Sequence, residues 1–541
     1  MSFLTALAIA CAAQAQAPSP IPPQLPAPKV LLVPLDSRPA AGQFAQMIGK
    51  MASTDVETPP VGELGRFTTP GQPDAVLDWL AGQDYTGVGA VVVSIDMVTY
   101  GGLIASRTDD VPFLQAELRL QRLADIRRQH PKVSFYAFSS IMRLTPTATP
   151  TNGEWRNALA KYAELTERYA QNKVGADFEA LKNLEKQIPP EQIEAYEATR
   201  QRDHAIQVEA VRMASQGVFD YLTIGQDDAR AYGPHVPETL HLHQLVSKLG
   251  IDGKVYFCEG IDQLSSVLVS RALLRESGWV PRVRVIYSDP DRSMAYAYYE
   301  SKPINDSLRD QIFASGARPV SDDGAPADYD LFVNVPGRGE TSFQGFLKDL
   351  DGELDQGFPV CVADINLGRD GTADPELFGE MMQKQRMMRL LAFAGWNTAG
   401  NSIGTAIPAA NVYLLARKLN VDPLEREVAQ REFLLHRFVN DYAYHKYTRP
   451  EAYRIIAEDP HGNKDLTGEP LFSEVEAFVR RDLEQHLQQF YAEEFQGQKF
   501  YAGDKEYEFD GLKDVHIFLP WPRAYEVQLE FSLETRPTAV N

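Results

Sequence analysis

Cysteine is scarce in this 541-residue chain, with only Cys11, Cys258 and Cys361 present. A disulfide framework is therefore excluded, and stability has to come from buried apolar area. Cys258 and Cys361 close the apolar runs KVYFCEG and FPVCVAD, the setting of packed core thiols rather than of a nucleophile. Basic charge is also short: 53 Lys plus Arg face 74 Asp plus Glu, a net charge of -21. With no basic run to offset phosphate repulsion, nucleic acid is excluded as a partner. Beyond the N-terminus no segment reaches roughly 18 uninterrupted apolar residues, which excludes a helical membrane span. A GxGxxG after the first strand, a Walker A loop and an HExxH helix are all missing, so dinucleotide, nucleoside triphosphate and helical zinc chemistry lack their signatures. His241 and His243 in HLHQ do not have the i, i+4 spacing of a helical zinc pair. No repeat of solenoid type is visible.

What is present is an ordinary globular composition, 44% hydrophobic and 23% charged, on a chain long enough for two to four domains. It begins MSFLTALAIACAAQAQAPSP. Residues 3–13 form an apolar core, and cleavage after Ala15 satisfies the A-x-A pattern of an export signal, although the positively charged start is missing. Cys11 also admits a lipoprotein reading without the usual Leu. The expectation is a periplasmic or extracellular protein, with residues 1–28 serving as signal peptide and Pro-rich linker.

Short runs dense in Val, Ile, Leu, Phe and Tyr alternate with helical stretches, the pattern of a parallel sheet covered on both faces. Candidate strands are residues 30–35, 55–58, 90–95, 133–138, 221–225 and 255–258, then 283–287, 331–335, 359–363 and 391–394. That makes about ten, two more than a single (β/α)8 barrel uses. Two doubly wound α/β lobes are the leading expectation, over 29–280 and 281–420, and a TIM-barrel-like (β/α)8 is the alternative. Residues 152–216 read as a helical insertion into the first lobe, with apolar residues at three- and four-residue spacing. Residues 421–541 read as a helical C-terminal region ending in a β-hairpin made by VHIFLPWP and YEVQLEFSL.

Several apolar runs end in polar clusters, and parallel sheets collect ligand-binding groups at that edge. LLVPLDSRP delivers Asp36, Ser37 and Arg38, with Pro39 holding Arg38 out of helical geometry. VVVSIDMVTYGGLIASR delivers Asp96, Tyr100 and Arg107, with Gly101 and Gly102 opening the backbone. GQDDARAYGPH delivers the adjacent carboxylates Asp227 and Asp228, followed by Tyr232 and His235. Two neighbouring carboxylates do not both ionise cheaply in a desolvated site, so one is expected to rise in pKa and serve as a general acid. The same carboxylates with Asp36, Asp96 and His235 also form a divalent-metal donor set; equally, one Asp of the pair caps the next helix. LLAFAGWNTAGNSIGTA presents Trp396 and Asn397, suited to a planar or sugar ligand. Its GNSIG matches a GxSxG elbow, with Asp441 and His436 or His445 downstream, but Ser402 lies several residues past the strand where the elbow needs it. Asp289, Asp291, Asp364 and Asn366 form a later acidic series that reads as turns.

VPLDSRP, SIDMVTYGGLIASR, GQDDARAYG, YSDPD and AGWNTAGNSIGTA, in that order, resemble the uncharacterised bacterial family catalogued as domain of unknown function 4127. The resemblance runs from about Lys29 to beyond Ala410 and implies no particular reaction. Ala40 and Ala41 depart from the family's pattern, and no role is assigned there.

The functional expectation is an exported hydrolase acting on a carbohydrate or cell-envelope glycan. Asp227, Asp228, Asp36 and Asp96 form its catalytic carboxylates; Arg38, Tyr100, Arg107, Tyr232, His235, Trp396 and Asn397 contact substrate. No cofactor is required, although a divalent metal is compatible. The alternatives are a non-catalytic periplasmic solute-binding protein and a metal-dependent ester or phosphoester hydrolase.

Overall fold

Continuous apolar runs have to be covered on both sides, and most of the eleven strands of two open parallel sheets are such runs in the computed structural model, which describes residues 25–149, 151–320 and 326–538. The export-signal expectation falls on residues 1–24, outside the described residues. The first sheet contains β1 (Lys29–Val33), β2 (Asp55–Glu57), β3 (Val88–Ser94), β4 (Ser134–Ile141), β5 (Tyr221–Gln226) and β6 (Val255–Glu259), in the order β2-β1-β3-β4-β5-β6. The second contains β7 (Arg282–Tyr287), β8 (Arg318–Pro319), β9 (Tyr329–Asn334), β10 (Val360–Asp364) and β11 (Ala392–Ala394), in the order β8-β7-β9-β10-β11. Each sheet reverses direction after its first strand, so the two share one doubly wound order and each has a crevice at its reversal point. The closed barrel is not formed, because the sheets have separate edges and, among the described residues, no strand pairs across them.

The chain passes from β6 to β7 through the helix Leu264–Ser277. That helix packs against Ala399–Lys418, and one apolar core runs through Leu32, Leu268, Leu331, Ile403 and Ile407. The lobes are therefore fused by a shared core. Close approach depends on two glycines: a Cβ at Gly400 would collide with the Glu259 carbonyl oxygen, and one at Gly404 would collide with Gln263 Cγ.

The insertion forms three helices, Arg156–Asn172, Gly175–Glu185 and Pro190–Ser215. Its own small core is built from Met142, Leu144, Leu159, Ile188 and Tyr196. The last helix continues beneath the first sheet through Ile206, Ala210 and Val211. At the C-terminal end the expected hairpin is a three-stranded antiparallel sheet of β12 (Lys499–Ala502), β13 (Lys505–Phe518) and β14 (Gln528–Pro537). LPWP, expected as strand, lies instead in the connection 519–527, where two prolines deny ladder hydrogen bonds.

Gly400→Ala drives a methyl group into β6 backbone and is expected to cost about 1–3 kcal/mol. Gly379 lies in the helix Pro375–Gln383 with open space at its Cβ position, and Gly379→Ala is expected to stabilise by about 0.5–1 kcal/mol. Urea unfolding of both variants checks the pair, and equal midpoints would contradict the packing assignment.

Candidate functional site

The first strand sets the site's charge. Arg38 leaves β1 in extended geometry, φ -74 and ψ 148, as the following Pro39 demands. Its Nε lies 3.0 Å from both Asp36 carboxylate oxygens, and its Nη2 lies 2.7 Å from Asp36 Oδ2 and 2.7 Å from Asp262 Oδ1. The guanidinium is thus gripped by two carboxylates, and its carbon sits 5.0 Å from the centre of the Trp521 ring. Trp521 Nε1 donates to Ser37 Oγ at 2.9 Å, and Ser37 Oγ donates to the Gly65 carbonyl at 2.7 Å. Burial pushes the Asp262 carboxyl up against the pull of Arg38.

The second lobe answers from the end of β11. Asn397 takes a left-handed conformation, φ 57, in contact with Gly371, where a side chain would collide with the Asn397 backbone at 2.9 Å. Asn397 Nδ2 donates to Asn401 Oδ1 at 2.7 Å and approaches Asp262 Oδ2 at 3.5 Å, while its Oδ1 accepts from the Tyr525 hydroxyl at 2.7 Å. Arg38, Asp262, Trp396, Asn397, His445, Tyr525 and Glu526 border a narrow cleft of about 40 Å³. Beside it, Asp36, Ser37 and Arg38 form a wall of a cavity of about 680 Å³ that is also lined by Gln43, Gln46, Gln72 and Gln528.

The adjacent aspartates at the end of β5 have opposite environments. Asp227 is buried and paired with Arg107, and it accepts the Asp228 backbone N–H at 2.9 Å. Burial raises its pKa, but Arg107 and Arg143 outweigh burial and hold it below the usual carboxylate range. Asp228 keeps 31% side-chain exposure and lies 3.3 Å from Arg143. Burial and the Asp227 charge raise it despite Arg143. Asp262 adds to the rise of Asp228, and Asp227 to that of Asp262, so the two acidic groups share one field. The Ala229 N–H donates to the Tyr299 carbonyl at 2.9 Å, fixing Tyr299, itself at φ 66, beside the pair. Tyr299 and Tyr525 remain 44% and 41% exposed.

The other expected site residues either lie elsewhere or are committed to contacts of their own. Asp96 occupies the first turn of the helix Ile95–Tyr100 and turns back to accept the Ser140 backbone N–H at 2.9 Å. Burial, with the nearby Asp203 charge, pushes it up to about 7. Tyr100 is buried beneath the Arg202 guanidinium, 4.2 Å from its ring centre, and Arg202 pairs with Asp203 at 2.6 Å. Asp96 and Tyr100 thus join a buried network under the insertion and not the cleft. Arg107 is committed to Asp227 and Thr147 and borders a cavity of about 250 Å³ with Trp155 and Tyr196. His235 bonds the Arg230 carbonyl at 2.9 Å, and burial pushes it down to about 4. Tyr232, half-buried, faces the insertion, near enough to Arg168 to influence its charge. Trp396 is packed edge-on against Phe44 at 5.5 Å and donates to Thr405 at 3.3 Å, so its ring face is not free for stacking.

Ser402 is fully buried in a helix and bonds both the N–H and the carbonyl of Trp396, at 2.9 and 3.0 Å, which removes the nucleophile-elbow geometry. Asp364 accepts from Asn334 at 2.9 Å and from the Asp374 N–H at 2.6 Å, and Asp374 caps the helix Pro375–Gln383, so this acidic loop closes on itself as a turn. Among the described residues, no group of three His, Cys, Asp or Glu side chains is placed to hold a metal ion.

A π-helical stretch, Val439–Thr448, supports the second lobe's contribution. Its Asp441 accepts the Gly395 N–H at 2.9 Å through the side chain and the Ala373 N–H at 3.2 Å through the carbonyl. His445 bonds the Gly371 carbonyl at 3.0 Å. The wider π register frees carbonyls for such outside donors, a geometry common at functional sites.

Sequence reasoning missed Asp262, Arg143, Tyr299 and Tyr525. Asp262 had a usable signal, because CEGID follows β6 as the other acidic clusters follow their strands. Tyr525 had none, since it reaches Asn397 across 128 residues.

A family description, "Protein of unknown function (DUF4127)", matches residues 30–530. Neither a curated protein nor a solved structure matches the chain significantly.

Asp96 gives a pH test. A carboxyl raised in the folded state contributes stability below its unfolded pKa and loses it as pH rises through the folded value; for Asp96 that fall runs from about 4 to about 7. Asp96→Asn keeps an acceptor for Ser140. It is expected to flatten the fall and to exceed the wild type at pH 8 by on the order of 1–4 kcal/mol. Denaturant unfolding at pH 5 and pH 8 measures it; a variant effect identical at both pH values would reject the assignment.

Proposed function

Since the chain belongs to the family described as Protein of unknown function (DUF4127), a membership that assigns no reaction, we propose from its site that it is an exported hydrolase acting on a carbohydrate or cell-envelope glycan. The observation that carries the reading is the split between Asp227 and Asp228, one held low by Arg107 and the other raised. Pairs of carboxyls whose environments push them apart divide into an ionised group and a protonated acid. Asp228, the more exposed of the two, acts as general acid toward the leaving oxygen. Asp227 stays ionised, orients Asp228 through its N–H, and stabilises positive charge that develops on the sugar ring; water then bonds to the anomeric carbon and gives its proton to the Asp228 carboxylate, which restores the acid.

Asp36 serves this scheme indirectly, by holding Arg38 against Asp262. Arg38 then offers its remaining edge to ligand hydroxyls. The glutamine-lined cavity of about 680 Å³ falls in the size range of small-molecule sites. Tyr299 and Tyr525 supply aromatic faces suited to sugar rings. The N-terminal apolar segment with its A-x-A pattern supports export and so an envelope substrate.

Two rival readings gain less support. A hinged solute-binding protein needs lobes free to close, and here one core joins them. A metal-dependent hydrolase needs convergent unpaired ligands, whereas Asp36, Asp227 and Asp262 are committed to arginines.

Asp228→Asn is expected to lower kcat by about 10²–10⁴-fold on a cleaved glycan. Asp227→Asn removes a negative neighbour, lowers the Asp228 pKa and moves the alkaline limb of kcat/KM to lower pH. Reducing-end release from a panel of purified envelope glycans measures both, and unchanged hydrolysis by both variants removes the reading.

A further inference from the structure

A second cavity, of about 610 Å³, lies at the opposite edge of the second sheet, where Pro359 leads into β10 and Leu391 leads into β11. Its charge is unlike that of the rest of the molecule. Arg389, Arg417, Arg431 and Lys499 line it against Asp355 and Glu494, in a chain of net charge -21. The cavities beside Arg38, beside Arg107 and under the insertion are balanced or negative in their lining.

Most of the cations are already fixed. Arg389 bonds Asp355 at 3.1 Å and the Leu354 carbonyl; Arg431 pairs with Glu427; Lys499 bonds Glu506 at 2.9 Å. Two groups are not. Arg417, in the last turn of the helix Ala399–Lys418, is exposed and makes no ion pair or side-chain hydrogen bond among the described residues. Glu494 is only 6% exposed, borders the cavity and likewise has no partner among the described residues. It sits on the second π-helical stretch, Tyr491–Phe495, a geometry that recurs where a side chain serves a ligand. The Arg431 Nε–H is also buried without a partner. Buried polar groups are normally satisfied, and a nearly enclosed carboxyl that borders this basic cavity without a protein partner is open to a hydrogen bond from a ligand.

We propose that this cavity is a binding site for a small organic anion carrying a phosphate group, distinct from the cleft beside Arg38 and from the Asp227 and Asp228 pair. Arg417 contacts the anion, and the prearranged Arg389, Arg431 and Lys499 provide its field. The Glu494 carboxyl, when protonated, donates a hydrogen bond to the ligand. The volume exceeds what a bare ion fills and lies in the range of metabolite sites. The polar side chains of Gln385, Gln430 and Gln498 on the wall suit hydroxyls on the organic part.

Burial, with the Glu493 charge beside it, pushes Glu494 up to about 7. Asp355, Arg389, Arg417, Arg431 and Lys499 share the cavity lining with it, and none of them is close enough to oppose the rise. Anion binding therefore weakens as pH rises through that value, when Glu494 becomes negative.

Isothermal titration of the full chain with glycerol 2-phosphate and with inorganic sulfate tests the site. The expected result is saturable 1:1 binding of both, with glycerol 2-phosphate the tighter. Arg417→Ala, an exposed substitution, weakens both at least tenfold while leaving thermal unfolding unchanged. Sulfate, whose charge is constant over the range, binds the wild type more weakly at pH 8 than at pH 6, and Glu494→Gln abolishes that difference. Absence of saturable binding, or binding unaltered in both variants, overturns the proposal. Glycan hydrolysis does not enter any arm, so the result stands apart from the reading of the first cleft.

Discussion

The contact between the helices Leu264–Ser277 and Ala399–Lys418 is the constraint on which the rest of the molecule depends. Each lobe has its own doubly wound sheet, whose strand ends would face solvent without the other. Packing these helices at glycine-limited distance brings the end of β6 and the entry to Ala399–Lys418 into contact, as the closeness of Gly400 to the Glu259 carbonyl makes plain. Asp262 and Asn397 then meet because they flank the two helix starts. The polar cleft follows from an apolar packing arrangement made one turn away.

Charge in the cleft is arranged by competition between burial and arginine. Desolvation acts to raise Asp227, Asp228 and Asp262 alike, and what distinguishes them is how closely a guanidinium answers. Asp227 has Arg107 in direct contact, whereas Asp262 shares Arg38 with Asp36 and Asp228 meets Arg143 only at 3.3 Å. Graded acidity therefore arises among groups of one chemical type. The buried pair Arg437 and Asp441, 3.1 Å apart and fully enclosed, serves the cleft differently, by anchoring the backbone that presents Asn397. Breaking such a pair leaves one buried charge uncompensated, so it acts as a rigid support.

The strands were readable where burial on two faces left an unbroken apolar run, as in VVVS of β3 or FVN of β9. β8 has two residues and no pattern to detect, and KEYEFDGLKD of β13 is half-exposed and too polar for its strand to be seen. At the site, the rule that polar clusters follow strands located Asp36, Arg38, Asp227, Asp228 and Asn397. It misled at Asp96 because a strand end specifies position, not direction, and the helix beginning at Ile95 turns that carboxyl toward β4. It said nothing of Tyr525 or Trp521, whose place is set by tertiary packing of a distant sheet.

The bond from Trp521 to Ser37 spans 484 residues. The cleft is thus closed by two segments far apart in the chain, of which the tryptophan is made much the later. A polypeptide emerging from its N-terminus folds its first lobe well before that partner exists. Such a chain carries Asp36 and Arg38 in place but lacks the indole and the tyrosine that wall them in. Timing is built into the covalent order: whatever the cleft does, it begins to do only after Trp521 and Tyr525 have been made, and a chain ended before them is silent by construction.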